Sequence, residues 1–158
     1  MFLLSAFALY SFAVADRIGL EAPPPTPILL DRQGYFLAQF GADFTGPNGA
    51  RRTEYGYWPL EVLPERVVAA TLALEDKRFW DHPGVDGLAV LRAVWQAAGS
   101  GRARSGASTV AMQVVRMQHP APRNLWNKLV EAGAALLLTQ RHGRDAVLRP
   151  YLRVAPYR

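Results

Sequence analysis

From Pro64 to the end of the chain, apolar residues recur three and four positions apart, and this periodicity commits most of the sequence to α-helix. Pro64 suits a first helical position because it has no N–H to leave unpaired, and Val67, Val68, Thr71 and Leu74 form a stripe that leads to Glu75. Asp86 is placed to cap a second helix, in which Leu88, Leu91, Val94, Trp95 and Ala98 share a face and read as core before Gly99 ends it. A third helix begins near Ser108. A fourth runs from about Asn124 to Gln140 with Leu125, Leu129, Ala132 and Leu136 as its stripe, and a fifth starts near Arg144. The expected fold class is mostly α, and 158 residues are enough to bury one core rather than two.

The first third of the chain is built differently. Residues 1–15, MFLLSAFALYSFAVA, are uncharged and apolar but fall short of the ~20 residues that span a bilayer as an untilted helix. A membrane anchor that continues upstream, a cleaved signal with Ala13 and Ala15 at its end, and a core helix are the three readings, of which the anchor is preferred. Residues 16–27 end in a proline-rich spacer. Residues 28–57 give a small β-hairpin over Ile28 to Phe40, turning at Asp31 to Gly34, and then a loop over Gly41 to Gly56. Residues 58–158 form the helical domain.

Charge narrows the partners. Lys and Arg total 18 against 13 acids, so the chain at net +5 favours an anion such as a lipid head group, a pyrophosphate or nucleic acid. The basic residues are dispersed among helices without a reading motif, so no nucleic acid is expected. The absence of cysteine excludes disulfides and thiolate metal sites.

Three clusters carry chemistry. In EDKRFWDHPGVD, Glu75 follows an apolar stripe, where desolvation raises a carboxyl toward the working range of a general base while Lys77 and Arg78 restrain the rise. In SGASTVAMQ, Ser108 and Thr109 present hydroxyls and free N–H groups at a helix start. That arrangement suits an anion, and equally a plain N-cap. Gln113 and Arg116 follow three apart on one helix face. Arg123 lies in the next loop, and Lys128 and Glu131 are three apart on the fourth helix, where Glu131 is either a surface partner of Lys128 or a second functional carboxylate.

The ordered pair EDKRFWDHPGVD and SGASTVAMQ resembles the first two motifs of the peptidoglycan glycosyltransferases, glycosyltransferase family 51, found in class A penicillin-binding proteins and monofunctional transglycosylases. HPGVD, GAST and MQVVR look most like the penicillin-binding protein 1C branch. Arg123, Lys128 and Glu131 match a third motif, and YLRVAPY resembles a fourth. The resemblance implies a lysozyme-like helical fold with a cleft, at the periplasmic side of the bacterial inner membrane, acting on lipid II and the growing glycan strand among membrane lipids and other cell-wall synthesis proteins. It implies that Glu75 is the general base of an inverting transfer. Arg116, Arg123 and Lys128 would neutralise the leaving pyrophosphate, with a divalent cation (Mg or Mn) in some relatives, and Glu131 would orient that cationic group or metal. Asp76, Ser108, Thr109 and Gln113 complete the implied substrate-binding set.

This chain departs from the family pattern at several places. It has Met112 where many relatives have glutamine, Arg116 where they have lysine, Asn127 before Lys128 where arginine is usual, and Arg153 where asparagine is usual. Pro150 falls inside an expected helix and predicts a kink. The sequence ends at Arg158, before a fifth motif, so the domain is expected to be incomplete and marginal on its own. A lytic muramidase of similar fold and a fragment that only binds precursor are the competing functions.

Overall fold

A computed structural model of the chain describes residues 2–20, 25–45, 49, 51–54, 56, 62–100 and 107–154. Helix α1 (Phe2–Ala15) is followed by two antiparallel hairpins, β1 (Ile28–Leu30) with β2 (Phe36–Gln39) and β3 (Ala42–Thr45) with β4 (Arg51–Glu54). Five helices come next: α2 (Glu65–Glu75), α3 (Gly87–Ser100), α4 (Val110–Gln118), α5 (Leu125–His142) and α6 (Arg144–Val154). The fold is mostly helical, as the periodicity implies.

The first hairpin lies where expected, and Asp31 closes its turn by accepting from the N–H groups of Gln33 and Tyr35. The second replaces the expected loop over Gly41 to Gly56. Its two four-residue strands pair Ala42 with Glu54 through Thr45 with Arg51, and Thr53 donates to Asp43 across them. A polar, glycine-containing stretch hides such a strand pair, because β4 has no apolar residue to match the short Ala42/Phe44 alternation of β3. The Ala22 to Pro24 part of the spacer and the Trp58 boundary lie outside the described residues.

The core is a packed group of α4, α5 and α6. Val110, Ala111, Met112, Val114 and Val115 are buried around nearly the whole of α4, and they meet Val130, Ala134 and Leu138 of α5 and Val147, Leu148 and Tyr151 of α6. Helix α6 continues through the buried Pro150 to Val154.

Several expected stripes are not core. Leu88, Leu91, Val94 and Trp95 of α3 are all exposed, Trp95 by 80%; Ala93 is buried, and the Ala98 side chain lies outside the described residues. On α5, Leu125, Leu129 and Leu136 are exposed and the buried side is Val130, Ala134, Ala135 and Leu138. On α2 the expected stripe is split: Thr71 is buried and Val68 packs against the core, joined by Leu72, whereas Val67 and Leu74 are exposed. The reason is common to all three: a stripe marks an apolar face, but which face is covered depends on the neighbouring element, and α3 makes no extended contact with another described element.

Helix α1 packs against α5. Val14 belongs to the core, while Phe7, Leu9 and Phe12 face outward. Among the described residues, no helix is long and apolar enough to cross a membrane.

Candidate active site

The segment between α2 and α3 is a lock that fixes the end of α2 to the start of α4. Asp76 is buried; His82 Nε2 meets its Oδ1 at 2.9 Å, and the Val110 N–H donates to its Oδ2 at 3.0 Å. Because the Gly84 N–H donates to His82 Nδ1 at 3.2 Å, that nitrogen accepts and the imidazole hydrogen sits on Nε2, directed at Asp76. Thr109 caps α4, its Oγ1 accepting from the Met112 N–H while donating to the Gly84 carbonyl at 2.6 Å. Arg144 of α6 donates twice to the His82 carbonyl, at 3.2 and 3.0 Å.

Gly84 makes this possible. Its φ is +116°, and a Cβ there would meet the Ala135 carbonyl oxygen and lie 2.6 Å from Thr139 Oγ1. Only glycine admits both the backbone conformation and the close approach to α5.

With Asp76 locked in place, the neighbouring Glu75 is turned outward onto a cavity of about 670 Å³. Gln113 Nε2 donates to Glu75 Oε2 at 2.9 Å. Arg116, one turn further along α4, lines the same cavity, as do Arg123, Lys128 and Glu131. Lys128 Nζ donates to Ser108 Oγ at 3.3 Å, tying α5 to the segment before α4. The cleft thus holds an exposed carboxylate at one wall, three cations, and a second carboxylate, Glu131, that is only 6% exposed. Asn124 caps α5 and orients Asn127 at the cavity edge, where Asn127 Nδ2 also donates to the Pro122 carbonyl.

The family model for transglycosylases, described as "Transglycosylase", matches residues 44–158. The chain belongs to the transglycosylase family. It is 39% identical over 98 residues to penicillin-binding protein 1C of Escherichia coli, which covers 62% of this chain and 13% of that protein. It is 32% identical over 155 residues to the biosynthetic peptidoglycan transglycosylase of Rhodospirillum centenum, covering 98% of this chain and 61% of that protein. With penicillin-binding protein 1A of Neisseria flavescens it shares 36% over 158 residues, 96% of this chain and 20% of that protein. The chain spans less than two thirds of the length of each of these relatives.

Against this transglycosylase background, the candidate residues divide into two groups. Glu75, Ser108, Gln113, Arg116, Arg123, Lys128 and Glu131 share the main cavity. Asp76 and Thr109 are buried, their polar atoms bind His82, Gly84 and the N-terminus of α4, and both line a smaller cavity that also reaches Glu75 and Ser108. The expected desolvation of Glu75 is absent, since the side chain is exposed at the end of α2. Arg78, expected to act on Glu75, is instead paired with Asp86: its Nε donates to Oδ2 at 3.0 Å and its Nη2 to Oδ1. Burial pushes the Asp86 carboxyl up, but the Ala89 N–H and the Arg78 hydrogen bond and charge outweigh it and bring the carboxyl below the usual carboxylate range.

Sequence reasoning missed a second cavity of about 390 Å³ on the other side of Glu75, reached also by Leu74, Lys77, Arg92 and Ser108. The signal for Arg92 was a lone charge on an otherwise apolar helix. Among the described residues, no group of three or more His, Asp or Glu side chains is arranged to hold a metal ion. Glu75 and Glu131 are the acids of the main cavity, and a divalent cation held there by a carboxylate would need substrate phosphate oxygens to complete its shell.

Proposed function

We propose that this chain supplies the transfer site of a peptidoglycan glycosyltransferase, joining lipid II units into a glycan strand by an inverting displacement. The observation that carries this reading is that Glu75, held by Gln113, shares one cavity with Arg116, Arg123 and Lys128. Glu75 takes the proton of an acceptor-sugar hydroxyl as its oxygen bonds to the anomeric carbon of the donor. The bond from that carbon to the lipid diphosphate breaks from the opposite face, and the diphosphate leaves with the electron pair. Fixed cations meet the charge as it develops, which lowers the barrier without a proton donor on the leaving oxygen. A hydrolase acting on a glycosidic bond needs such a donor.

Glu131 completes the electrostatics. Its buried carboxylate lines the same cavity as Lys128, three residues away on α5, and sets a negative charge among the cations, while the Lys128 ammonium itself donates to Ser108 Oγ. The exposed Phe7, Leu9 and Phe12 of α1 support work at a membrane surface, as a lipid-linked substrate requires. The test is chain growth from lipid II by the full chain: Glu75→Gln is expected to reduce turnover about 10²–10⁴-fold, with glycan polymers as the wild-type product. Release of short fragments from preformed peptidoglycan, with no polymer, would replace this reading with a lytic one.

A further inference from the structure

The two faces of α5 do opposite jobs. At the helical repeat of 3.6 residues, Trp126, Leu129 and Gly133 fall on one side of α5, while Asn127, Lys128 and Glu131 fall on nearly the reverse side, at the cavity. The first side is occupied by α1. Tyr10 Oη donates to the Leu129 carbonyl at 3.3 Å, and its ring meets Trp126 edge to face with centroids 6.0 Å apart. Gly133 forms the notch that admits it: a Cβ there would run into the Tyr10 hydroxyl and would lie 3.0 Å from its Cζ and 3.1 Å from Val14 Cγ2.

We infer that α1 is a positioning element of the cavity, with Tyr10 as its contact residue. The first five residues of α5 have no buried side chain, and besides Tyr10 they are held by the Asn124 cap, the Asn127–Pro122 hydrogen bond and the Lys128–Ser108 hydrogen bond. Leu125, Trp126, Lys128 and Leu129 are all exposed, and Val130 is the first residue of that helix in the core cluster. From Ala134 onward the helix is anchored by Ala134, Ala135 and Leu138. Seating Tyr10 against Leu129 and Trp126 therefore braces the half that carries Lys128 and Glu131, from behind the cavity wall. A shift of that half moves Lys128 away from Ser108 and changes the separation of the cations from Glu75. The consequence for anion binding rests on the proposed diphosphate chemistry; the brace itself does not.

The test uses the full chain and two readouts, amide hydrogen exchange over residues 125–131 and calorimetric binding of inorganic pyrophosphate. Tyr10→Ala and Gly133→Ala are expected to speed exchange in that half of α5 while leaving exchange in α6 unchanged. They are also expected to weaken pyrophosphate binding by about tenfold, equivalent to roughly 1.4 kcal/mol. Tyr10→Phe keeps the ring contact and is expected to stay within about twofold of wild type, since the hydroxyl bond alone is a modest interaction. If Tyr10→Ala does not fold, Tyr10→Leu serves as the milder variant with the same expectation. A lower melting temperature with unchanged exchange over residues 125–131 would overturn the inference. So would faster exchange with unchanged pyrophosphate affinity in variants of a wild type that binds it. If the wild type binds no pyrophosphate, the proposed function fails, and the exchange pattern alone decides the brace.

Discussion

Helices α3 and α4 invert what their sequences advertise. By sequence α3 is the more apolar helix, with Leu88, Leu91, Val94 and Trp95 aligned, yet all four of those side chains are exposed. Helix α4 is only nine residues long and interrupts its apolar run with Gln113 and Arg116, yet it is the centre of the core. The difference lies in the neighbours. Helix α4 is enclosed by α5 and α6 and pinned at its start by Asp76 and Thr109, so its only open side is the one carrying Gln113 and Arg116. Burial on nearly all sides turns two polar residues into a rigid site, because side chains projecting from a packed scaffold keep their geometry.

The sharpest way to break this comparison is to cut into α4. Met112 is fully buried, and Met112→Ala is expected to cost about 2–5 kcal/mol in denaturant unfolding, the usual range for emptying a core site. Next comes the lock that pins α4. Gly84→Ala meets both a positive φ and the backbone of Ala135, and is expected to cost about 2–3 kcal/mol in the same measurement.

A smaller effect is expected at Asp86, where the α2–α3 segment hands over to α3. Its folded carboxyl lies below the ordinary range, so its contribution is present at neutral pH and is lost as the pH falls through that lowered value. Asp86→Asn is expected to cost about 1 kcal/mol at neutral pH, and the gap from wild type should close in acid as the native carboxyl takes up its proton. The smallest effect belongs to the exposed stripe. Leu91→Ala, 64% exposed in the native chain, should change stability by no more than about 0.5 kcal/mol. A loss as large as that of Met112→Ala would mean that α3 is covered after all.

Much of the site was legible in the sequence because its logic is local. Gln113 and Arg116, and Lys128 and Glu131, are helix neighbours by spacing alone, and the structure brings both pairs to one cavity with Glu75. The five C-terminal helices follow from periodicity and capping residues, and Asp86 does cap where expected. What could not be read is what depends on long-range packing. Asp76 is locked by Val110, thirty-four residues away, and Gly84 by Thr109 and by α5, contacts that no spacing rule reports. The second hairpin escaped because one of its strands, Arg51–Glu54, is polar throughout and shows no alternation. Leu88, Leu91, Val94 and Trp95 misled because periodicity identifies an apolar face without saying what lies against it.

At the centre of all this is the claim that the base and the cations serve one cleft with separable tasks. Calorimetric titration of the full chain with inorganic pyrophosphate tests it most directly, comparing wild type with Glu75→Gln and with the Arg116→Ala, Lys128→Ala double variant. We expect the double variant to lose at least about tenfold in affinity, with a weaker salt dependence, because two anion contacts are gone. Glu75→Gln should bind as well as wild type or better, since a negative charge has left the cavity. Equal affinity in wild type and the double variant would contradict the claim.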